Sequence, residues 1–137
     1  MKIAFYIGKH GTWYDRLICL VTRSKYSHCE IVLTDGMCAS SSVRDGGVRY
    51  KIITLDDHWD VYNLSYPPSE ASVITWFNLH DSNKYSYIGA VLSVFGIVWK
   101  SEHEKFCSEA CGEVLGYKNH PTPEKLYQTL KRNGEIT

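Results

Sequence analysis

The sequence lacks several features that would place it in a large functional class at once. Its 15 basic residues balance 15 acidic ones, so net charge provides no attraction to nucleic acid. The longest apolar run, residues 88–99, is too short to cross a bilayer, and the start of the chain has no apolar signal-peptide core. We therefore expect no nucleic-acid partner, no transmembrane segment and a cytoplasmic location.

Motifs for metals and phosphates are also missing. The sequence has no Cys-x-x-Cys and no His-Glu-x-x-His, and Gly46-Gly47 lacks the lysine and helix of a phosphate loop. A zinc site built from Cys107 and Cys111 with His28 or Cys38 is an alternative without motif support. The 5 cysteines are odd in number and do not form a secreted disulfide pattern. We expect reduced thiols, no metal and no cofactor.

What the chain has is the composition of one globular domain. Its 137 residues are 44% hydrophobic and 13% aromatic, without repeats or linkers, which predicts a single domain over 1–137. Apolar patterning and turn residues predict strands in the first half, over 2–8, 26–33, 37–42, 48–55 and 59–64, and helices over 13–22, from 69, over 87–98, over 107–116 and from 122. The fold class is therefore α+β.

Cys107 has the strongest chemical signal. It falls in the first turn of a predicted helix, where unpaired N–H groups and the helix dipole favour a thiolate. Taken alone, a cysteine at this place is more often an inert buried side chain than a nucleophile. A nucleophilic thiol also needs a base within reach.

The base is expected on the strand that contains His28. Strand alternation puts His28 and Glu30 on one face, and Cys29 and Ile31 on the other. A polar pair on an otherwise apolar strand indicates either a solvated face or a functional site. The remaining histidines fall in predicted loops or at helix ends.

Together these segments resemble a known family. The strand with Tyr26-Ser27-His28, the Asp35-Gly36 turn, the returning strand, and Phe106-Cys107-Ser108-Glu109 opening a later helix are similar to the permuted NlpC-type, papain-like cysteine hydrolases, a group related to the lecithin retinol acyltransferase family. Residues 27–49 look most like a phage-encoded branch. The resemblance implies a circularly permuted papain-like fold, with a small antiparallel sheet packed against helices.

The resemblance also implies roles for particular residues. Cys107 matches the nucleophile and His28 matches the base, while the family's third, polar member corresponds to Ser40, or to Ser41 if the turn has two residues. Glu30 is the alternative, because it shares a strand face with His28. We expect the returning strand to orient His28 and Glu30 to flank the cleft. The Cys107 N–H is the expected oxyanion donor, with a tyrosine such as Tyr26 as a second one.

The implied activity is hydrolysis of an amide or ester bond through a thioester on Cys107. The expected substrate is a peptide, an isopeptide or an acyl ester, and in a phage-encoded protein the target is a host protein or metabolite in the host cytoplasm. Two alternatives stay open: a thiol acyltransferase or lipid esterase, and a non-catalytic binding module on the same fold.

Overall fold

A five-stranded sheet organises the chain. The computed structural model describes residues 1–42, 45–80, 106–118 and 122–137. All neighbouring strands are antiparallel, and their order across the sheet is β4-β3-β2-β1-β5. The strands are β1 (Lys2–Ile7), β2 (Tyr26–Val32), β3 (Met37–Ser42), β4 (Gly47–Ile52) and β5 (Trp59–Asn63).

Four α-helices accompany this sheet in the described residues: α1 (Trp13–Thr22), α2 (Glu70–His80), α3 (Cys107–Val114) and α4 (Pro123–Arg132). Their starts follow local chemistry. At α2 the Ser69 hydroxyl accepts from the Ser72 N–H at 3.1 Å, and at α4 the Thr122 hydroxyl accepts from the Lys125 N–H at 3.2 Å. Beyond α3, Gly116 adopts a φ of 85°, a left-handed conformation that suits glycine at a helix end.

These elements confirm the predicted α+β class. The predicted strands and the helices that begin near 13, 69, 107 and 122 are present, with ends that differ from the prediction by a few residues. The predicted helix over 87–98 lies outside the described residues. Within the described ranges, no helix combines the length and apolar character that a bilayer crossing requires.

The main core lies between one face of the sheet and three of the helices. β1 and β2 contribute Ile3, Phe5 and Ile31, all at 0% exposure. Against them pack Val73 and Phe77 of α2, Ala110 and Cys111 of α3, and Leu126 and Leu130 of α4. In the described ranges, the opposite face has a small buried apolar cluster, Ala4, Val32 and Cys38, with Ile53, Leu55 and Trp59 packed against it.

Candidate active site

Strand β2 separates two kinds of side chain. Cys29 and Ile31 enter the main core, whereas His28 and Glu30 line a cavity on the other face of the sheet. This is the alternation predicted from the sequence. A β-bulge precedes His28, because Tyr6 pairs with His28 while Ile7 pairs with Tyr26, which leaves Ser27 as the extra residue. Bulges of this kind redirect neighbouring side chains.

The regular pairing of β2 with β3 ends next to these residues. The register between β2 and β3 covers two pairs, Ile31 with Ala39 and Val32 with Cys38. Beyond them the carbonyl of Cys29 accepts a hydrogen bond from the Ser40 hydroxyl at 2.7 Å. We infer that β2 and β3 separate here, which lets a side chain from the helix-covered face reach His28.

Cys107 is that side chain. It is the first residue of α3 and is 4% exposed, and its thiol lies close enough to the side chains of Cys29 and His28 for both to act on its pKa. The contact with Cys29, together with the charge and hydrogen bond of His28, holds the pKa of the Cys107 thiol well below its usual range despite burial. The first N–H groups of α3 have no intrahelical partner and add to this effect.

His28 lies between the thiol and a carboxylate. Its Nε2 is 2.7 Å from Oε1 of Glu30, so Glu30 engages this ring nitrogen and not Nδ1. Burial opposes a charge on the ring, but Cys107 and Glu30 outweigh it and raise the pKa of His28 to about 10. A lowered thiol pKa beside a raised imidazole pKa favours transfer of the thiol proton to the ring.

Glu30 is held from its other side by an arginine that sequence reasoning missed. The side chain of Glu30 is 0% exposed, and its two oxygens accept from Arg49 of β4 at 2.7 and 2.6 Å. Burial opposes the charge, but Arg49 and His28 keep the pKa of Glu30 below its ordinary value. Arg49 in turn donates to Asp45 at 2.8 Å, and Lys51 donates to Asp45 at 2.8 Å. A carboxylate predicted inside a strand requires a cation nearby, and a search for that cation is what could have found Arg49 from the sequence.

The structure differs from the expected source of the orienting contact. Glu30 makes it, whereas Ser40 bonds to the carbonyl of Cys29 and is 3.9 Å from the Cys111 sulfur. Ser41, the alternative to Ser40 for this role, is buried, with 0% of its surface exposed. The hydroxyl of Tyr26 donates to Asp60 at 2.6 Å and its ring packs in the main core, so Tyr26 is committed elsewhere and is not a second oxyanion donor.

A cavity of about 480 Å³ lies on the His28 side of the sheet. This volume is in the range of small-molecule and peptide side-chain pockets. Its walls combine rings with charges, namely Tyr6, Tyr14, Asp15, Asp45, Arg49, Lys51 and Trp59. His28 is the member of the cysteine–histidine pair that lines it, and its ring meets the edge of Trp59 at 6.2 Å between centroids.

The described part of the chain has one group of side chains close enough to share a metal ion, and it includes neither Cys107 nor His28. Asp56, Asp57 and His58, on the turn before β5, have donor atoms within 4.8 Å of one another and are largely exposed. Cys107, Cys111, His28 and Cys38, which were weighed as zinc ligands, do not form such a group. A comparison with protein families matches none, and no curated protein matches the chain.

Proposed function

We propose that this protein is a cysteine hydrolase that cleaves an amide or ester bond through a thioester on Cys107. The observation that carries the proposal is the position of His28 between the Cys107 thiol and the Glu30 carboxylate. A buried thiol with a lowered pKa, a histidine with a raised pKa and a carboxylate on the second ring nitrogen have the roles of nucleophile, acid–base group and orienting group.

The reaction begins from the ion pair. The Cys107 thiolate attacks the acyl carbonyl carbon, and the N–H of Cys107 at the start of α3 stabilises the oxyanion. His28 then gives its proton to the leaving amine or alcohol as the carbonyl–leaving-group bond breaks, and a thioester remains. The neutral His28 takes a proton from water, and the resulting hydroxide attacks the thioester. The carboxylic acid leaves as product, and the thiolate–imidazolium pair of the enzyme is restored.

The chain order supports assignment to the permuted papain-like group. The strand with the base precedes the helix with the nucleophile, and the antiparallel sheet packs against helices on the side of the nucleophile. The proposed substrate is a peptide, isopeptide or acyl ester, and in a phage-encoded protein it is a molecule of the host. The cavity beside His28 supplies a place for the group that flanks the scissile bond.

The first test is the pH dependence of alkylation by iodoacetamide. We expect Cys107 to be labelled first and to react well below pH ~8.5, the ordinary thiol pKa. Burial raises the pKa values of Cys19, Cys29 and Cys38, so these thiols should react slowly. In His28→Ala the reaction of Cys107 should need higher pH, since the main cationic partner is gone. Peptide mapping by mass spectrometry at a series of pH values measures this.

His58→Ala is the matched control, because it removes a half-exposed imidazole that faces Asp56 and Asp57 instead of Cys107. Its alkylation profile should follow that of the original protein. Equal labelling of all cysteines in the folded chain, or an unchanged profile in His28→Ala, would refute the activated thiol.

A second prediction concerns the orienting group. Glu30→Gln should lower the pKa of His28 from about 10, because the carboxylate charge favours the imidazolium. It should also slow the hydrolysis of an aryl ester at least about tenfold, since the base is no longer oriented. Ser40→Ala should leave the His28 titration unchanged. Imidazole proton shifts in an NMR titration give the pKa, and a fall in hydrolysis confined to Ser40→Ala would return the orienting role to β3.

A further inference from the structure

The outward face of α1 is apolar where a surface helix is normally polar. Trp13 and Leu20 are each 76% exposed, and Val21 is 42% exposed. Positions 13, 17 and 20 lie along one stripe of a helix with 3.6 residues per turn, so Leu17 continues the same face. The inward face is already used, because Tyr14, Asp15 and Ile18 line the cavity beside His28. Trp13 and Leu20 therefore leave most of their apolar surface uncovered by the described residues.

Basic residues surround this stripe. Lys9, Arg16 and Arg23 are exposed, and none forms an ion pair within the ranges that the structure describes. The one acidic residue between 8 and 25 is Asp15, which is 7% exposed and bonded to Thr12 and Ser27. Two carboxylates from other elements also lie beside α1: Glu124 accepts from the Lys25 N–H at 3.0 Å, and Asp60 pairs with the Lys25 side chain. The cations beside the apolar stripe, Lys9, Arg16 and Arg23, stay without such a partner in the described ranges.

A groove joins the apolar and basic groups. Along the flank of α1 it is lined by Ile7, Leu20, Ser24, Cys19, Lys9, Arg16 and Lys25. Lys25 is paired with Asp60, which leaves Lys9 and Arg16 as the cations for an anion in the groove. A site with one apolar wall and two cations fits the phosphate and upper acyl chain of a lipid.

We propose that α1 docks on the surface of an anionic lipid bilayer. Trp13 and Leu20 enter the boundary between headgroups and acyl chains, while Lys9, Arg16 and Arg23 contact lipid phosphates. A ten-residue helix is about 15 Å long, so its ridge offers far less area than the ~800 Å² per partner of a standard protein interface. A few inserted side chains and a ring of cations are sufficient for peripheral membrane binding.

The proposal is separate from the cysteine chemistry. It concerns the outward face of α1, and the proposed nucleophile and base lie on β2 and α3. Variants of the outward face should therefore keep the alkylation profile of Cys107, which also serves as a check that each variant is folded.

The test is co-sedimentation of the full chain with vesicles. We expect binding to phosphatidylcholine vesicles in which about a third of the lipid is phosphatidylserine, and little binding to pure phosphatidylcholine. Trp13→Ser with Leu20→Ser should weaken binding at least about tenfold, as should Lys9→Glu with Arg16→Glu. Added salt should weaken binding of the original protein.

Matched controls lie on other helices. Leu79→Ser removes an apolar side chain that is 75% exposed on α2, and Arg132→Glu reverses an exposed charge on α4. Both should bind vesicles as the original protein does. Absence of binding to anionic vesicles, equal binding to both vesicle types, or equal losses in the controls would overturn the proposal. So would self-association in sedimentation velocity that disappears in Trp13→Ser, because it would assign the face to a second copy.

Discussion

Cys107→Ala is expected to abolish acyl-enzyme formation. With p-nitrophenyl acetate the original protein should release a burst of nitrophenolate and carry a hydroxylamine-sensitive acetyl group on the peptide containing Cys107. The variant should lose both, with a fall of at least about a thousandfold in acylation, because alanine has no nucleophile for the carbonyl. Stopped-flow absorbance and peptide mass spectrometry measure the two signals.

Cys111→Ala is the matched control for this change. Cys111 is one helical turn further along α3, is 0% exposed, and has its sulfur 3.7 Å from the carbonyl of Cys29. This variant should keep the burst even if burial makes it somewhat less stable. A burst that survives in Cys107→Ala would remove the proposed nucleophile, whereas an unfolded Cys107→Ala would assign Cys107 a structural role.

Of these substitutions, Arg49→Met is expected to lower the free energy of unfolding by the largest amount. It leaves the fully buried carboxylate of Glu30 with His28 as its remaining cationic partner. Breaking one side of a buried ion pair costs about 3 kcal/mol or more, because the other charge stays out of water. Urea unfolding at neutral pH measures the difference from the original protein.

The pH dependence of that loss has a definite sign. In the original protein the pKa of Glu30 is lowered, so its contribution to stability is present above the ordinary carboxyl pKa and is lost as pH falls through the folded value. In Arg49→Met the guanidinium no longer offsets the cost of burying the charged Glu30 carboxylate, so the pKa of Glu30 rises. Protonation of Glu30 then removes the cost of keeping a charge out of water. The stability gap between the two proteins should therefore narrow as pH falls from 7 toward about 4.

Lys51→Met is the control for Arg49→Met. Lys51 is 48% exposed at the far end of the same chain of charges, where it contacts Asp45. Removing the Lys51 charge should lower the free energy of unfolding by less than about 1 kcal/mol, as is typical of exposed ion pairs. Equal losses in the two variants, or a deficit in Arg49→Met that does not change with pH, would contradict the account of a buried carboxylate.

Much of the fold was predictable because its signals are local. Thr122-Pro123 at the start of α4, Gly116 after α3 and the alternation along β2 depend on residues within a turn or a strand, and each was found at its predicted place. The same locality allowed Cys107 and His28 to be singled out, one by its position at a helix start and the other by its strand face.

The sequence by itself determined the α+β class, the order of most elements and the two residues with the strongest chemical signal. The tertiary structure decided which group orients His28 and which cation holds that group. The preference for Ser40 or Ser41 depended on the register between β2 and β3, and pairing between strands is set by long-range packing. Arg49 is 19 residues from Glu30 along the chain, and the two meet because β3 and β4 bring a guanidinium to a carboxylate buried from water. The charge balance of the whole chain likewise gave no sign of the three exposed cations beside the apolar stripe of α1, because folding decides which charges are buried, paired or left exposed.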